Sequence, residues 1–536
     1  MGGLSGLLDR QGKALGRAPA VIYCGRVLSY ADLAAASRHV AAGLARLGIG
    51  RGDRVALWLP NVPAYLMTIF ACARLGAIAV AVNTRYRAVE VGDIVARSGA
   101  RALLLWPGFL GIPFLDILAE VDEAALSRLE TIILYGEEDG GEAAGPLPPA
   151  LGRTRTLAFD ALTGQGEIVA AGGPEDGCAI FTTSGTTRAP KFVLHRQSGL
   201  IDHAHAVARS FGFTEAGASP LQALPLCGVF GFCQAMAALA AGACQHMQAV
   251  YDEREAAELL GSGAATHLIA SDEMVVRLLD AAPGERPFPR LRHVGFAAFG
   301  HPPAEMVAAA DRRGVRLVGL YGMSEVQALF ARRSETAPAA ERAKAGGRPV
   351  APEAEVRVAD PESGEILRPG ISGEIQIKGP SLMAGYFADP EATRAAFTAD
   401  GFFRTGDLGH MEVDGGFVFE TRMGDVLRLG GFLVSPAEIE AHLLRHDGVS
   451  GAQVVGMATP AGPRAMAFVT LKPGERFDEA ALAAWCRQGL AGYKVPARIV
   501  PLEAFPVTVS ANGVKVQRAR LREMAAALAQ DSAVSR

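Results

Sequence analysis

The chain is poor in cysteine, in clustered metal ligands and in any excess of positive charge. Its seven cysteines, at 24, 72, 178, 227, 233, 244 and 486, are scattered over 536 residues. None forms a C-x-x-C pair or another zinc spacing, and an odd, dispersed set argues for reduced thiols rather than a disulfide framework. Lys and Arg number 52 against 56 Asp and Glu, a formal charge of −4. The basic excess that phosphate-backbone binding needs is missing, so nucleic acid is excluded as a main partner. No uninterrupted apolar run approaches the length of a membrane-spanning helix. The start, Met-Gly-Gly-Leu-Ser-Gly-Leu-Leu-Asp-Arg, has neither a basic n-region nor an extended apolar h-region, so no secretion signal is expected. Together these absences predict a cytoplasmic protein without a membrane span. What is present is a chain long enough to bury more than one core, with no repeat or low-complexity tract.

The first hundred residues alternate strand-like and helix-like segments. Ser29-Tyr30-Ala31-Asp32 fits a capping box, opening a helix that ends near Gly48. Arg54 to Leu59 reads as a strand, Pro63 to Arg74 as a helix and Ala77 to Val82 as a fully buried strand. A helix near Val89 to Arg97 leads to the strand Ala102 to Trp106. Such alternation implies parallel sheets covered on both faces. Glu137 to Pro149, rich in Gly, Glu and Pro, reads as an exposed connection. After about residue 330 short Gly-bounded strands take over, at Glu355-Val-Arg-Val, Gly373-Glu-Ile-Gln-Ile-Lys and Gly416-Phe-Val-Phe-Glu. A mixed pattern returns beyond about 425, with helices near Pro436 to Leu444 and Glu479 to Gln488, and a boundary falls near Arg422 to Asp425.

The most informative stretch is Phe181-Thr-Thr-Ser-Gly-Thr-Thr-Arg-Ala-Pro-Lys-Phe-Val-Leu-His195. An apolar run leads into a loop with five hydroxyls and one glycine, followed by Lys191. Backbone N–H groups and hydroxyl donors converging beside a lysine suit phosphate oxygens. The loop is not a Walker A sequence, because Pro190 precedes the lysine and Phe192 follows it. Standing alone, such a cluster reads first as an ordinary solvated loop. Four downstream segments change its meaning: Leu320-Tyr321-Gly322-Met323-Ser324-Glu325; Phe403-Arg-Thr-Gly-Asp407-Leu408; Thr421-Arg422-Met423-Gly424-Asp425; and Phe505-Pro-Val-Thr508 followed by Asn512-Gly513-Val514-Lys515. Singly, these read as a helix cap, a turn aspartate, a linker arginine and a solvated lysine in a cationic helix.

In order and spacing the five segments resemble the adenylate-forming superfamily of acyl-CoA synthetases, non-ribosomal peptide adenylation domains and luciferases, over nearly the whole chain. The resemblance implies an α/β fold: a large N-terminal domain (1–421) of parallel-type αβ sheets plus a β-rich subdomain, a hinge (422–426) and a small mobile α+β C-terminal domain (427–536). It implies ATP and CoA as co-substrates with Mg²⁺ as cofactor. Thr183, Ser184, Gly185, Thr186, Thr187 and Lys191 would grip the β- and γ-phosphates. Tyr321 and Gly322 would lie at the adenine, Ser324 would contact phosphate and Glu325 would ligate Mg²⁺. Asp407 would accept the ribose hydroxyls, Arg422 would reach the nucleotide, and Lys515 would catalyse adenylation, with Lys494 the lesser candidate. Gly430 and Gly431 would line the pantetheine tunnel.

The departures are as informative as the matches. Arg188 stands where a glycine is usual, and is expected to add a cation for pyrophosphate; Phe192 replaces another glycine. Gly228 stands where His is frequent and would widen an acyl pocket that Val229, Phe230 and Gly319 are expected to line. No Phe-Asp pair follows it, which disfavours an amino-acid substrate. Gly424 occupies the hinge position in place of Asp or Lys. The expected function is ATP-dependent ligation of a hydrophobic carboxylic acid, fatty or aromatic, to CoA. Loading of a carrier-protein pantetheine, or nucleotide and acyl binding with weak turnover, are the alternatives, and a homodimer is the candidate assembly.

Overall fold

Local chemistry starts the fold where the sequence places it. Ser29 Oγ accepts the Asp32 amide at 3.1 Å and Asp32 Oδ2 accepts the Ser29 amide at 3.3 Å, a reciprocal cap that opens the helix Tyr30–Arg46. The strands Arg54–Trp58, Ile78–Ala81 and Ala102–Leu105 are buried almost throughout, as expected of parallel strands covered on both faces. The intervening helices are Pro63–Leu75 and Ala88–Ser98. The computed structural model describes the chain except residues 1, 137–150, 152–153, 163–169, 184–189, 300, 426, 430–431, 435, 458, 460–462, 491, 511–512 and 535–536, and at 428, 432–433, 493, 509–510, 513–515 and 530–534 it gives the backbone alone. The connection expected at 137–149 lies outside the described residues.

Packing divides the chain into two compact units, Met1–Glu355 with Lys378–Gly401, and Val356–Ile377 with Phe402–Arg536. In the first unit one sheet runs in the order Gly385–Tyr386, Phe192–Arg196, Gly177–Thr182, Ile78–Ala81, Arg54–Trp58, Ala102–Leu105, Thr131–Leu134, Arg155–Ala158. Its last six strands are parallel, and the first two pair antiparallel at one edge. A second sheet has a parallel centre formed by Pro220–Gln222, Gln245–Met247, His267–Ser271, His293–Ala297 and Leu317–Met323. Its strand Leu317–Met323 turns back antiparallel into Gln327–Arg332. The helices Pro63–Leu75 and Val229–Ala241 are apolar on every side and buried around nearly their whole circumference, so they belong inside a core rather than on a surface.

The second unit is built mainly of antiparallel sheet. Gly373–Lys378 pairs with Phe403–Met411, which pairs with Phe417–Arg422. Further along, Val449–Met457, Arg464–Leu471 and Arg498–Pro501 form a three-stranded sheet accompanied by the helices Pro436–Leu443, Glu479–Gly489 and Arg518–Val534. Arg518 holds the last helix to Glu440, the fifth residue of the helix Pro436–Leu443, its Nη2 donating to both carboxylate oxygens at 2.8 and 3.0 Å. Burial pushes the Glu440 carboxyl above its ordinary range, and the Arg518 charge opposes that rise. The α/β architecture, with a large N-terminal part containing parallel sheets and a smaller C-terminal part, is as the sequence predicts. Among the described residues no helix is long and apolar enough to cross a membrane.

Candidate active site

The hydroxyl-rich loop is carried on a hairpin. Gly177–Thr182 and Phe192–Arg196 pair antiparallel, with Thr182 opposite Phe192 and Phe181 opposite Val193. Thr183 and Lys191 close the neck: the Thr183 amide donates to the Lys191 carbonyl at 3.0 Å, and the Lys191 amide donates to Thr183 Oγ1 at 3.1 Å. Ser184, Gly185, Thr186, Thr187 and Arg188 lie outside the described residues. Phe192, which replaces a glycine of the resemblance, is an anchor for the loop's base. Its ring is buried beneath the Arg97 guanidinium at 4.2 Å, and its carbonyl accepts the Phe387 amide at 2.7 Å.

The second motif lies at the carboxyl end of the strand Leu317–Met323, the end at which parallel sheets collect ligands. Tyr321 is buried, Gly322 is exposed, and Ser324 and Glu325 sit on the one-turn 3₁₀ helix Ser324–Val326. A side chain at 322 would meet the Ala328 Cα at 2.8 Å, so glycine lets the returning strand pass closely. That strand stores strain: Gln327 and Leu329 hold φ of 62° and 66°, conformations that side chains disfavour. Two buried histidines hold the turn. His195 Nε2 donates to the Ser324 carbonyl and His203 Nε2 to the Ala328 carbonyl, each at 2.7 Å. Burial pushes both imidazoles down to about 4, so they are neutral at pH 7 with the proton on Nε2. Glu325 is half-buried, and its Oε1 accepts the Tyr386 hydroxyl at 3.0 Å.

Sequence reasoning missed His195, His203 and Tyr386. His195 stands only four residues beyond Lys191, yet a histidine on a strand carries no mark of whether it will be buried. Tyr386 is far away in sequence, and only the pairing of Gly385–Tyr386 with Phe192–Arg196 brings it in.

The donors suit a hard cation. Among the described residues no group of three or more His, Cys, Asp or Glu gathers to cage a metal. Glu325 offers carboxylate oxygen at a half-exposed turn. Mg²⁺ takes one or two carboxylates and completes its shell with water and substrate phosphate, so this residue set fits it.

Gly228 caps the apolar helix Val229–Ala241, with Val229 and Phe230 each 5% exposed. A Cβ at Gly319 would stand 2.1 Å from the Lys344 carbonyl oxygen. Glycine is therefore required there by the close approach of backbone.

In the second unit the sheet sets Asp407 directly opposite Arg422. Asp407 is 2% exposed, its amide donates to Thr405 Oγ1 at 3.0 Å, and its Oδ1 lies 2.9 Å from Arg422 Nε. That contact is a charge pair without hydrogen-bond alignment. Arg422 Nη1 also donates to the Thr405 carbonyl at 3.3 Å. Gly424 is exposed on the turn Met423–Asp425, and a Cβ there would meet nothing within 4 Å. Asp425 of that turn pairs with Arg522 at 2.5 Å. Gly430 and Gly431 lie outside the described residues, between the paired strands Leu427–Leu429 and Phe432–Val434. Lys515 is on the strand Gly513–Val516, opposite Thr508 of Val507–Ser510. The lesser candidate, Lys494, pairs with Glu438.

The profile described as "AMP-binding enzyme" matches residues 8–387, and that described as "AMP-binding enzyme C-terminal domain" matches 438–512. The chain is 32% identical to 3-[(3aS,4S,7aS)-7a-methyl-1,5-dioxo-octahydro-1H-inden-4-yl]propanoyl:CoA ligase of Mycobacterium tuberculosis, covering 96% of this chain and 98% of that one. It is 33% identical to 2-succinylbenzoate–CoA ligase of Geobacillus kaustophilus over 90% of each. Among solved structures, ATP-bound MatB from Rhodopseudomonas palustris superposes with a TM-score of 0.84 at 25% identity, covering 99% of this chain and 100% of that one. The hydroxyl-loop hairpin, the glutamate turn and the Asp407–Arg422 pair thus stand in a chain that belongs to the AMP-binding enzyme family, as an AMP-forming acid–thiol ligase of the acyl-CoA synthetase type.

Proposed function

We propose that the protein is an ATP-dependent ligase that joins a hydrophobic acid, fatty or aromatic, to CoA. The observation that carries the hydrophobic tail is the helix after Gly228. Val229 to Ala240 are buried and the helix holds no charged side chain. A wall of this kind would desolvate a charge on the substrate tail without compensating it. The resemblance to a ligase named for a bicyclic propanoyl group supports a ring-sized tail.

A carboxylate does not acylate a thiol at neutral pH, because its leaving group would be oxide. In the first step a carboxylate oxygen bonds to the α-phosphorus of ATP and the bond from that phosphorus to pyrophosphate breaks, leaving acyl-AMP. In the second, the CoA sulfur bonds to the acyl carbon, AMP departs with the electron pair of the broken bond, and the thiol proton passes to solvent. The protein's task is positioning and charge stabilisation. Thr183, Ser184, Gly185, Thr186, Thr187 and Lys191 take β- and γ-phosphate oxygens, with Arg188 adding charge for pyrophosphate. Tyr321 and Gly322 lie at the adenine and Ser324 contacts phosphate. Asp407 accepts both ribose hydroxyls with its two oxygens, and Arg422 reaches the nucleotide. Glu325 would hold Mg²⁺, which when bound would supply neutralising charge to the phosphates. Lys515 bridges the carboxylate and the α-phosphate, which otherwise repel. Gly430 and Gly431 admit pantetheine. All seven cysteines are free thiols, which supports a reducing, cytoplasmic setting. A homodimer is the assembly to look for by light scattering.

Pyrophosphate release across aliphatic monoacids of increasing length, aromatic acids and dicarboxylic acids, with and without CoA, tests the reading. A hydrophobic monoacid giving pyrophosphate and a CoA thioester is the expected result. Turnover of dicarboxylic acids alone, or adenylate that CoA never converts to thioester, overturns it.

We also assign the motion between the two half-reactions to residues 422–426, with 427–536 as the part that turns against 1–421. Gly424 has open space around it and no side chain to restrain its torsions. Proline at 424 should slow thioester formation about tenfold more than adenylation, because it locks φ at the turning point. Half-reactions timed separately decide this, and an equal loss of both would refute the assignment.

A further inference from the structure

We propose that Tyr386 is a positioning residue that keeps the phosphate-loop lysine and the Mg²⁺-binding carboxylate close together without letting them neutralise each other; this role rests on the function proposed above. The Lys191 Nζ lies over the Tyr386 ring, 4.3 Å from its centroid, and the Tyr386 hydroxyl donates to Glu325 Oε1 at 3.0 Å. One side chain thus touches the cation of the first motif and the anion of the second. Among the described residues no ion pair joins Lys191 to Glu325.

The chemistry of the intermediary explains its value. A direct Lys–Glu pair would commit the ammonium to the carboxylate and leave less of either for substrate. An aromatic face attracts an ammonium through its quadrupole yet accepts no strong hydrogen bond, so the N–H donors stay available for phosphate oxygens. A phenol hydroxyl donates one proton to one carboxylate oxygen, leaving the other oxygen's lone pairs for a cation.

The backbone fixes the ring in this place. Tyr386 is opposite Val193 in the sheet, and the Ala384 and Phe387 amides donate to the Leu194 and Phe192 carbonyls, each at 2.7 Å. The Met383 amide donates to the carbonyl of Glu325 itself at 2.8 Å. Segment 383–387 is therefore bonded both to the lysine's strand and to the glutamate's turn. Gly385, at φ 146°, lets the chain make the step, since a Cβ there would press on Thr393 at 2.9 Å. Thr393 Oγ1 in turn accepts the Tyr386 amide at 2.8 Å, and the tyrosine is 7% exposed.

Two variants separate the hydroxyl from the ring. Tyr386→Phe retains the aromatic face and removes the donor; Tyr386→Leu removes both. ATP binding by the full chain is measured calorimetrically in Mg²⁺ and in EDTA, with the thermal midpoint of each variant as a check on folding. Tyr386→Phe should weaken ATP binding about tenfold in Mg²⁺, the scale of a hydrogen bond to a charged group, and leave it unchanged in EDTA. Tyr386→Leu should weaken it in both buffers, because the lysine loses its rest. A Phe variant that binds ATP like the parent in Mg²⁺, or that loses equally in both buffers, overturns the positioning role alone. A parent chain that binds ATP in neither buffer overturns the proposed function and this role together.

Discussion

Replacing Lys515 by alanine is expected to slow acyl-adenylate formation about a hundred- to thousandfold, the range for one preorganised charge at a developing anion. The attacking carboxylate and the α-phosphate are both negative, and an ammonium between them removes the repulsion where the new bond forms. Binding of ATP alone should change little, because the lysine acts on an encounter that ATP by itself does not make. Thioester formation from preformed acyl-AMP should likewise survive, which separates a lost catalytic charge from a lost fold. Lys494→Ala is the control: that lysine is paired with Glu438, and its removal should leave the rate of the first step within a fewfold of the parent. Pyrophosphate appearing at the parental rate in the Lys515→Ala enzyme would end the proposed mechanism.

Acidification should destabilise the first unit through its buried histidines. The imidazoles of His195 and His203 titrate at about 4 in the folded chain, against about 6.5 when unfolded. Burial is the cause, and each ring is further constrained by donating Nε2–H to a carbonyl of the glutamate hairpin. Between those two values the unfolded chain binds the proton and the folded chain does not. Stability from this source is therefore complete above pH 6.5 and falls as pH drops toward 4, by about 3 kcal/mol per imidazole. His267, pushed down to about 3 by burial and the nearby His293 and Arg292, adds to the same trend. Glutamine at 195 can still donate to the Ser324 carbonyl but cannot take up a proton. Denaturant midpoints of parent and His195→Gln at pH 7 and pH 5 should show the variant losing less on acidification. Identical losses in the two proteins would mean that His195 is not a source of the acid sensitivity.

Local chemistry in the sequence by itself determined a good deal of this protein. The Ser29–Asp32 box, the buried strands 54–58, 78–81 and 102–105 and the switch to Gly-bounded strands after about residue 330 depend on neighbours a few positions apart, so they are legible in a linear text. The order of the motifs was likewise enough to point to the family. Tertiary structure alone decided which residues meet. Asp407 faces Arg422 only because a particular antiparallel register pairs them. Gly319, expected beside a pocket, is a glycine because the Lys344 carbonyl comes within 2.1 Å of where a Cβ would be. His195 and Tyr386 carry no signal in their own neighbourhoods, since burial and partnership are set by segments 60 to 130 residues away: Glu325 for Tyr386 and Ser324 for His195. Propensity and capping are short-range forces, whereas desolvation and side-chain pairing depend on what the whole chain brings within a few ångströms.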